Sequence, residues 1–149
     1  MINKEEITDL FFDLDHTLYD FDKNSEITFL KIFDELNFIG VDDFMVHFKP
    51  INEYYWDLLS KNQITHEHLR YARLKDTFVK MNLSITDDQI DLIARKFIEN
   101  LTQNTFLFEG AIESLDYLKQ KYNLHIITNG PDKVQEAKLK NSNLEHYFQ

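Results

Sequence analysis

Two short apolar runs at opposite ends of the chain constrain everything between them. Ile7 to Leu14 is apolar and aromatic, with Leu10, Phe11 and Phe12 consecutive, and it closes in Asp13-Leu14-Asp15. Consecutive rather than alternating apolar residues predict a buried strand. Leu124 to Thr128 is the second run, and Asn129-Gly130-Pro131 behind it is a strong turn signal. Short strands separated by helical sequence imply an α/β fold with a parallel sheet.

Helical periodicity fills the interval. Phe29, Ile32, Phe33 and Leu36 fall at i, i+3, i+4 and i+7, one helix face, and residues 37–43 with Gly40 interrupt it. A second helix is predicted over about 42–60, kinked or split at Pro50. Tyr71, Leu74, Phe78 and Met81 mark a third. Thr86 with Gln89 forms a capping-box pattern that opens a fourth, carried on by Ile90, Ile93, Ala94, Phe97 and Leu101. With only 3 Gly and 2 Pro in 149 residues, little interrupts these helices. Four helices exceed a single crossover, so residues 22–104 are predicted to be an inserted module, and 1–21 with 105–149 the α/β part. Past the break at Glu109-Gly110, Ala111, Leu115, Leu118 and Tyr122 make a further helix before the second strand, and residues 132–141 another after it.

The formal net charge of −10 argues against binding a nucleic-acid backbone. It also means that an anionic small substrate needs a local metal or a Lys/Arg to offset the field. The absence of cysteine excludes disulfides and thiolate metal sites. No apolar run approaches the ~18 residues of a membrane span, and the first six residues lack the apolar stretch of a signal peptide. A soluble cytoplasmic protein is expected.

Asp13 and Asp15 stand at i and i+2 just past a strand end, where α/β sheets bind their ligands. A carboxylate in that position can attack phosphorus and form an aspartyl-phosphate, and a second can serve as general acid and base. Both need a divalent cation, because a dianionic phosphate will not approach two bare carboxylates. A polar loop at a strand end would use the same residue types. At the second strand end, the Thr128 hydroxyl and the backbone N–H groups of the Asn129-Gly130 turn suit phosphoryl oxygens.

Phe11 to Leu18 (Phe-Phe-Asp-Leu-Asp-His-Thr-Leu) resembles the first motif of the haloacid dehalogenase-like (HAD) phosphohydrolases, and Ile126-Ile127-Thr128-Asn129-Gly130 resembles the second. Phe108-Glu109-Gly110 also fits, and the layout matches the subgroup with a helical cap inserted after the first motif. The wording Asp-His-Thr-Leu and Thr-Asn-Gly is most similar to the pyrimidine-type 5′-nucleotidases. The resemblance implies an α/β HAD-like Rossmannoid core with an α-helical cap. It implies a Mg²⁺-dependent phosphomonoester hydrolase working through an aspartyl-phosphate on a small phosphorylated metabolite, a nucleoside monophosphate first and a sugar or other metabolite phosphate second. By position, Asp13 would be nucleophile and Mg²⁺ ligand. Asp15 would be acid/base and lend the metal its backbone carbonyl. Thr128, helped by Asn129, would hold the phosphoryl group, and Thr17 would support the loop. Dehalogenase members lack the second Asp, so Asp15 favours phosphate esters.

The family's third motif, a Lys, and fourth, an acidic pair, lie downstream of the second. Only 21 residues follow Thr128. Lys133, Lys138 and Lys140 fall on the predicted helix without strand-end context, and no acidic pair follows. The chain is therefore expected to be part of a longer product, poorly active alone, or else a non-catalytic fragment. In the inserted module, Tyr54-Tyr55-Trp56 reads as helix packing ahead of a base-stacking wall. Arg70 and Arg73, at i and i+3, read as solvated ahead of substrate anion contacts. His66 and His68, at i and i+2, point apart and read as solvated. Asp42-Asp43 and Asp87-Asp88 suit helix N-termini.

Overall fold

The computed structural model describes residues 6–149, so most of the N-terminal stretch inspected above for a signal peptide lies outside the described residues. The order of elements is β1 (Asp9–Phe12), α1 (Phe21–Glu35), α2 (Val41–Ser60), α3 (His66–Lys80), α4 (Asp87–Leu101), α5 (Ala111–Lys119), β2 (Asn123–Ile126) and α6 (Asp132–Asn141), with a final turn of 3₁₀ helix at Glu145–Tyr147. The chain divides into two compact units. One comprises residues up to Asn24 together with Thr102–Gln149, and the other Ser25–Leu101.

In the first unit β1 and β2 pair in parallel, Asp9 opposite Asn123 and Phe12 opposite Ile126. Hydrogen bonds from Asn123 N to Thr8 O (2.8 Å) and from Ile127 N to Phe12 O (2.9 Å) extend the ladder at both ends. The two C-terminal strand ends therefore lie side by side, which places Asp13 and Thr128 at the same end of the sheet. Leu14, Leu115, Leu124 and Leu144 are fully buried around it. The prediction of a buried first strand fails, since Leu10 and Phe12 are half-buried and Phe11 is 66% exposed. Among the described residues β1 has one paired neighbour, and the ring of Phe11 is covered on one side by the stacked imidazole of His125, 4.8 Å away. His125 Nε2 also meets Asp9 Oδ1 at 2.7 Å. Hydrogen bonds from Thr8 and then from His125 hold the Asp9 carboxyl below the usual range.

The second unit is a helical bundle packed on phenylalanines. Phe29 is fully buried and meets Phe44 at 4.6 Å, Phe48 at 4.9 Å and Phe97 at 4.6 Å between ring centroids, while Phe33 stacks on Phe78. α2 runs unbroken through Pro50, contrary to the predicted split. Pro50 lies on the exposed side of the helix, as does Val46, whose carbonyl loses its partner to the ring. Water can satisfy that carbonyl, while Phe44, Phe48, Asn52 and Tyr55 bury the opposite face. The capping box forms as read, with Gln89 N donating to Thr86 Oγ1 (3.3 Å) and Thr86 N to Gln89 Oε1 (2.9 Å). The paired acids at 42–43 and 87–88 occupy first turns.

Tyr55 is buried and donates to Asp76 Oδ2 at 2.6 Å; Trp56 packs against its cluster, and Tyr54 stays exposed. Arg73 corrects the solvated reading. It is 5% exposed, its Nη1 donates to Asn52 Oδ1 at 2.7 Å, and its guanidinium lies 5.6 and 5.3 Å from the centroids of Phe48 and Phe97. Burial, with the charge of Arg70, lowers its pKa to about 10. A charge taken out of water is tolerated here because two ring faces and an amide oxygen replace part of its hydration.

α3 carries a cap that its sequence announces in Thr65. The Thr65 hydroxyl accepts from His68 N at 3.1 Å, meeting one of the first-turn donors that no helical carbonyl can reach. Thr65→Ala is expected to lower stability by about 1 kcal/mol and Thr65→Ser by much less. Denaturant unfolding followed by circular dichroism checks this; equal midpoints for the alanine variant and the unsubstituted chain would contradict it.

Candidate active site

The site lies wholly in the first unit and is built on the loop that leaves β1. Leu14, Leu18 and Tyr19 are buried and anchor it. The Leu14 carbonyl accepts from Leu18 N (3.0 Å) and Tyr19 N (2.9 Å), and His16 N donates to Tyr19 O (3.0 Å), which folds residues 14–19 into a closed turn. His16 adopts φ 61° to make that turn, a conformation that costs a non-glycine residue roughly 1–2 kcal/mol. The buried neighbours hold it there. Tyr19 is fixed further by its hydroxyl, which donates to Asn104 O at 2.9 Å. Burial, and then the charge of Asp15, push that phenol well above its ordinary pKa, so it stays a donor.

The two aspartates occupy different surroundings. Asp13 is exposed, and its Oδ1 accepts from Leu14 N at 2.9 Å. Asp15 is half-buried and fully engaged. Lys138 Nζ lies 2.7 Å from its Oδ1 and 2.8 Å from its Oδ2, and Gln135 Nε2 donates to Oδ2 at 3.0 Å. The backbone carbonyl of Asp15 takes no part in the bonds that close the turn. Lys138 is 2% exposed, with its ammonium 5.0 and 5.4 Å from the ring centroids of Tyr19 and Phe21.

Gln135 joins this pair to the second strand end. Its Nε2 also donates to Thr128 Oγ1 at 2.7 Å, and Gly130 N donates to the same oxygen at 3.2 Å. Gly130 is required for space. A Cβ there would lie 2.6 Å from Gln135 Cδ, and Gln135 cannot move aside without giving up both its bonds. Asn129 is exposed in the turn beyond Thr128 and has no hydrogen bond to either aspartate.

The structure thus brings Asp13, Asp15 and Thr128 to one end of the sheet and leaves Asn129 at its margin. It adds Gln135, which the sequence reading does not single out, and Lys138, which that reading discounts for lack of strand-end context. Their signal is the i, i+3 spacing, which puts both on one face of the helix that starts behind the Thr128 turn. The lysine changes the charge count, since Asp13 and Asp15 with Lys138 sum to −1 rather than −2. Among the described residues no group of three or more His, Cys, Asp or Glu is gathered for a metal. What the site offers a hard cation is the exposed Asp13 carboxylate and the Asp15 carbonyl, both oxygen donors of the type Mg²⁺ prefers.

The haloacid dehalogenase-like hydrolase family matches residues 10–149, and the chain belongs to it. Pyrimidine 5′-nucleotidase PynA of Streptococcus pneumoniae is 29% identical over 143 residues, and HAD-hydrolase YfnB of Bacillus subtilis 25% over 139. Each alignment takes in 93% of this chain and 58% of the relative. Among solved structures, the magnesium-bound crystal form of YfnB superposes with a TM-score of 0.86 at 24% identity, covering 96% of this chain and 63% of that one. A defluorinating L-2-haloacid dehalogenase gives 0.71 at 13% identity. The chain spans less than two thirds of the length of these relatives. No helix among the described residues is long and apolar enough to cross a membrane.

Proposed function

We propose that the protein carrying this chain is a phosphomonoester hydrolase of the HAD type, acting on nucleoside 5′-monophosphates. The observation that supports this best is the pairing of an exposed Asp13 with an engaged Asp15 at one strand end, beside the Thr128 hydroxyl at the next. Asp13 has the freedom a nucleophile needs to reach phosphorus and form an aspartyl-phosphate. Asp15, held by Lys138 and Gln135, would protonate the leaving alkoxide and then activate water. Thr128 and the Asn129-Gly130 turn take the phosphoryl oxygens. Mg²⁺ would be held by the Asp13 carboxylate and the Asp15 carbonyl, and it would neutralise charge as the anion arrives. Residues 22–104 serve as the cap and the remainder as the core of a soluble cytoplasmic enzyme.

The nucleotide assignment draws on the 29% identity to a pyrimidine 5′-nucleotidase. It is tested with a panel of phosphate esters assayed with Mg²⁺ in the full-length polypeptide that carries these residues. Pyrimidine nucleoside monophosphates are expected to give kcat/KM values at least about tenfold above sugar phosphates, a preference of roughly 1.4 kcal/mol in transition-state binding. The reverse order would make it a sugar- or metabolite-phosphatase.

A further inference from the structure

The geometry points to Gln135 and Lys138 as a positioning pair that sets both the orientation of Asp15 and the hydrogen-bond polarity of Thr128. This rests on the phosphoryl-transfer reading above and deepens it. Lys138 Nζ lies 2.7 and 2.8 Å from the two oxygens of Asp15, and Gln135 Nε2 meets Oδ2 alone at 3.0 Å, so the two donors together fix how the carboxylate is turned and not merely its charge. Lys138 is 2% exposed and its ammonium is backed by the rings of Tyr19 and Phe21, so it has little freedom to follow a carboxylate that swings away.

Gln135 acts on the other side. One amide nitrogen donates to Asp15 Oδ2 and to Thr128 Oγ1, which uses both of its hydrogens. Thr128 Oγ1 receives that bond and a second from Gly130 N. A hydroxyl has two acceptor lone pairs and one hydrogen. With both lone pairs taken, the Thr128 hydrogen is left to donate outward, which is what a phosphoryl oxygen requires. Gly130 makes this possible by leaving room for the Gln135 amide. The pair thus ties the acid/base carboxylate to the phosphate-holding hydroxyl through one side chain.

The test uses the full-length polypeptide with Mg²⁺ and two substrates, an alkyl phosphate with a poor leaving group and p-nitrophenyl phosphate with a good one. Only the first depends strongly on a general acid. Lys138→Met keeps the length and the ring contacts and removes the charge. It is expected to lower kcat/KM, which reports the steps up to the phosphoryl-enzyme and not the dephosphorylation common to both substrates, by about tenfold or more on the alkyl phosphate but by less than about threefold on the aryl phosphate. Lys138→Arg is expected to restore part of the difference, and Gln135→Leu to raise the inhibition constant of inorganic phosphate by about tenfold. Equal losses on both substrates would assign Lys138 a purely structural role and overturn the inference. So would unchanged kcat/KM on the alkyl phosphate with Lys138→Met, or unchanged phosphate inhibition with Gln135→Leu. Asp13→Asn, assayed in parallel, separates the two levels. If it is inactive while Lys138→Met is unaffected, the positioning pair alone is wrong; if it is fully active, the phosphoryl-transfer reading falls with it.

Discussion

Asp13→Asn is expected to reduce turnover by on the order of 10⁴-fold or more while leaving the fold intact, the scale on which loss of a covalent nucleophile acts. The amide is isosteric with the carboxylate but cannot attack phosphorus, and it loses the negative charge that would hold a cation. The structure explains why folding should survive. Asp13 is exposed, and its one local bond, from Leu14 N to Oδ1, can be made equally well to an amide oxygen. Unfolding free energy is expected to change by less than about 0.5 kcal/mol, as for a surface substitution. Steady-state kinetics and a denaturant titration of the same sample check both halves. Wild-type turnover would remove Asp13 from the nucleophile's role.

Asp15→Asn is expected to act differently, on rate and on stability together. As general acid and base its carboxylate should contribute about 10²–10⁴-fold. Because dephosphorylation also needs the base, phosphoryl-enzyme should accumulate in this variant where it does not in the unsubstituted protein. The neutral amide also removes the carboxylate charge that the Lys138 ammonium meets, on a side chain that is 3% exposed. Removing one partner of a fully buried pair costs roughly 3–5 kcal/mol. The Asp15 side chain is 24% exposed, so water screens part of that, and a smaller but measurable loss is expected. Stability equal to the unsubstituted protein would show that Lys138 does not depend on Asp15 for its placement.

The parts of the fold legible in the sequence were those with a local cause. Two apolar runs gave two parallel strands, the 3.6-residue spacing of Phe29, Ile32 and Phe33 gave α1, and Thr86 with Gln89 gave the start of α4. The misreadings came from partners that no local pattern reveals. Phe11 is exposed because β1 has one paired neighbour among the described residues. Pro50 is tolerated because Val46, whose carbonyl it orphans, lies on the exposed side of α2. Arg73, read as solvated, is buried because Phe48, Phe97 and Asn52 converge on it from two other helices. In the site, Asp13, Asp15 and Thr128 were marked by strand ends. Lys138 was set aside because it sits on a helix, more than 120 positions from the carboxylate it binds. Only the parallel register, which carries α6 back over the end of β1, brings them together.

The most direct test of the account is to trap the covalent intermediate. Full-length Asp15→Asn polypeptide, mixed with Mg²⁺ and a nucleoside monophosphate and quenched in acid, is digested and its peptides weighed. The expected result is a single phosphoryl adduct on the peptide carrying Asp13, labile to hydroxylamine as an acyl phosphate must be, and absent from the Asp13→Asn control. Turnover proceeding with no adduct at Asp13, or with an adduct on another residue, would contradict it.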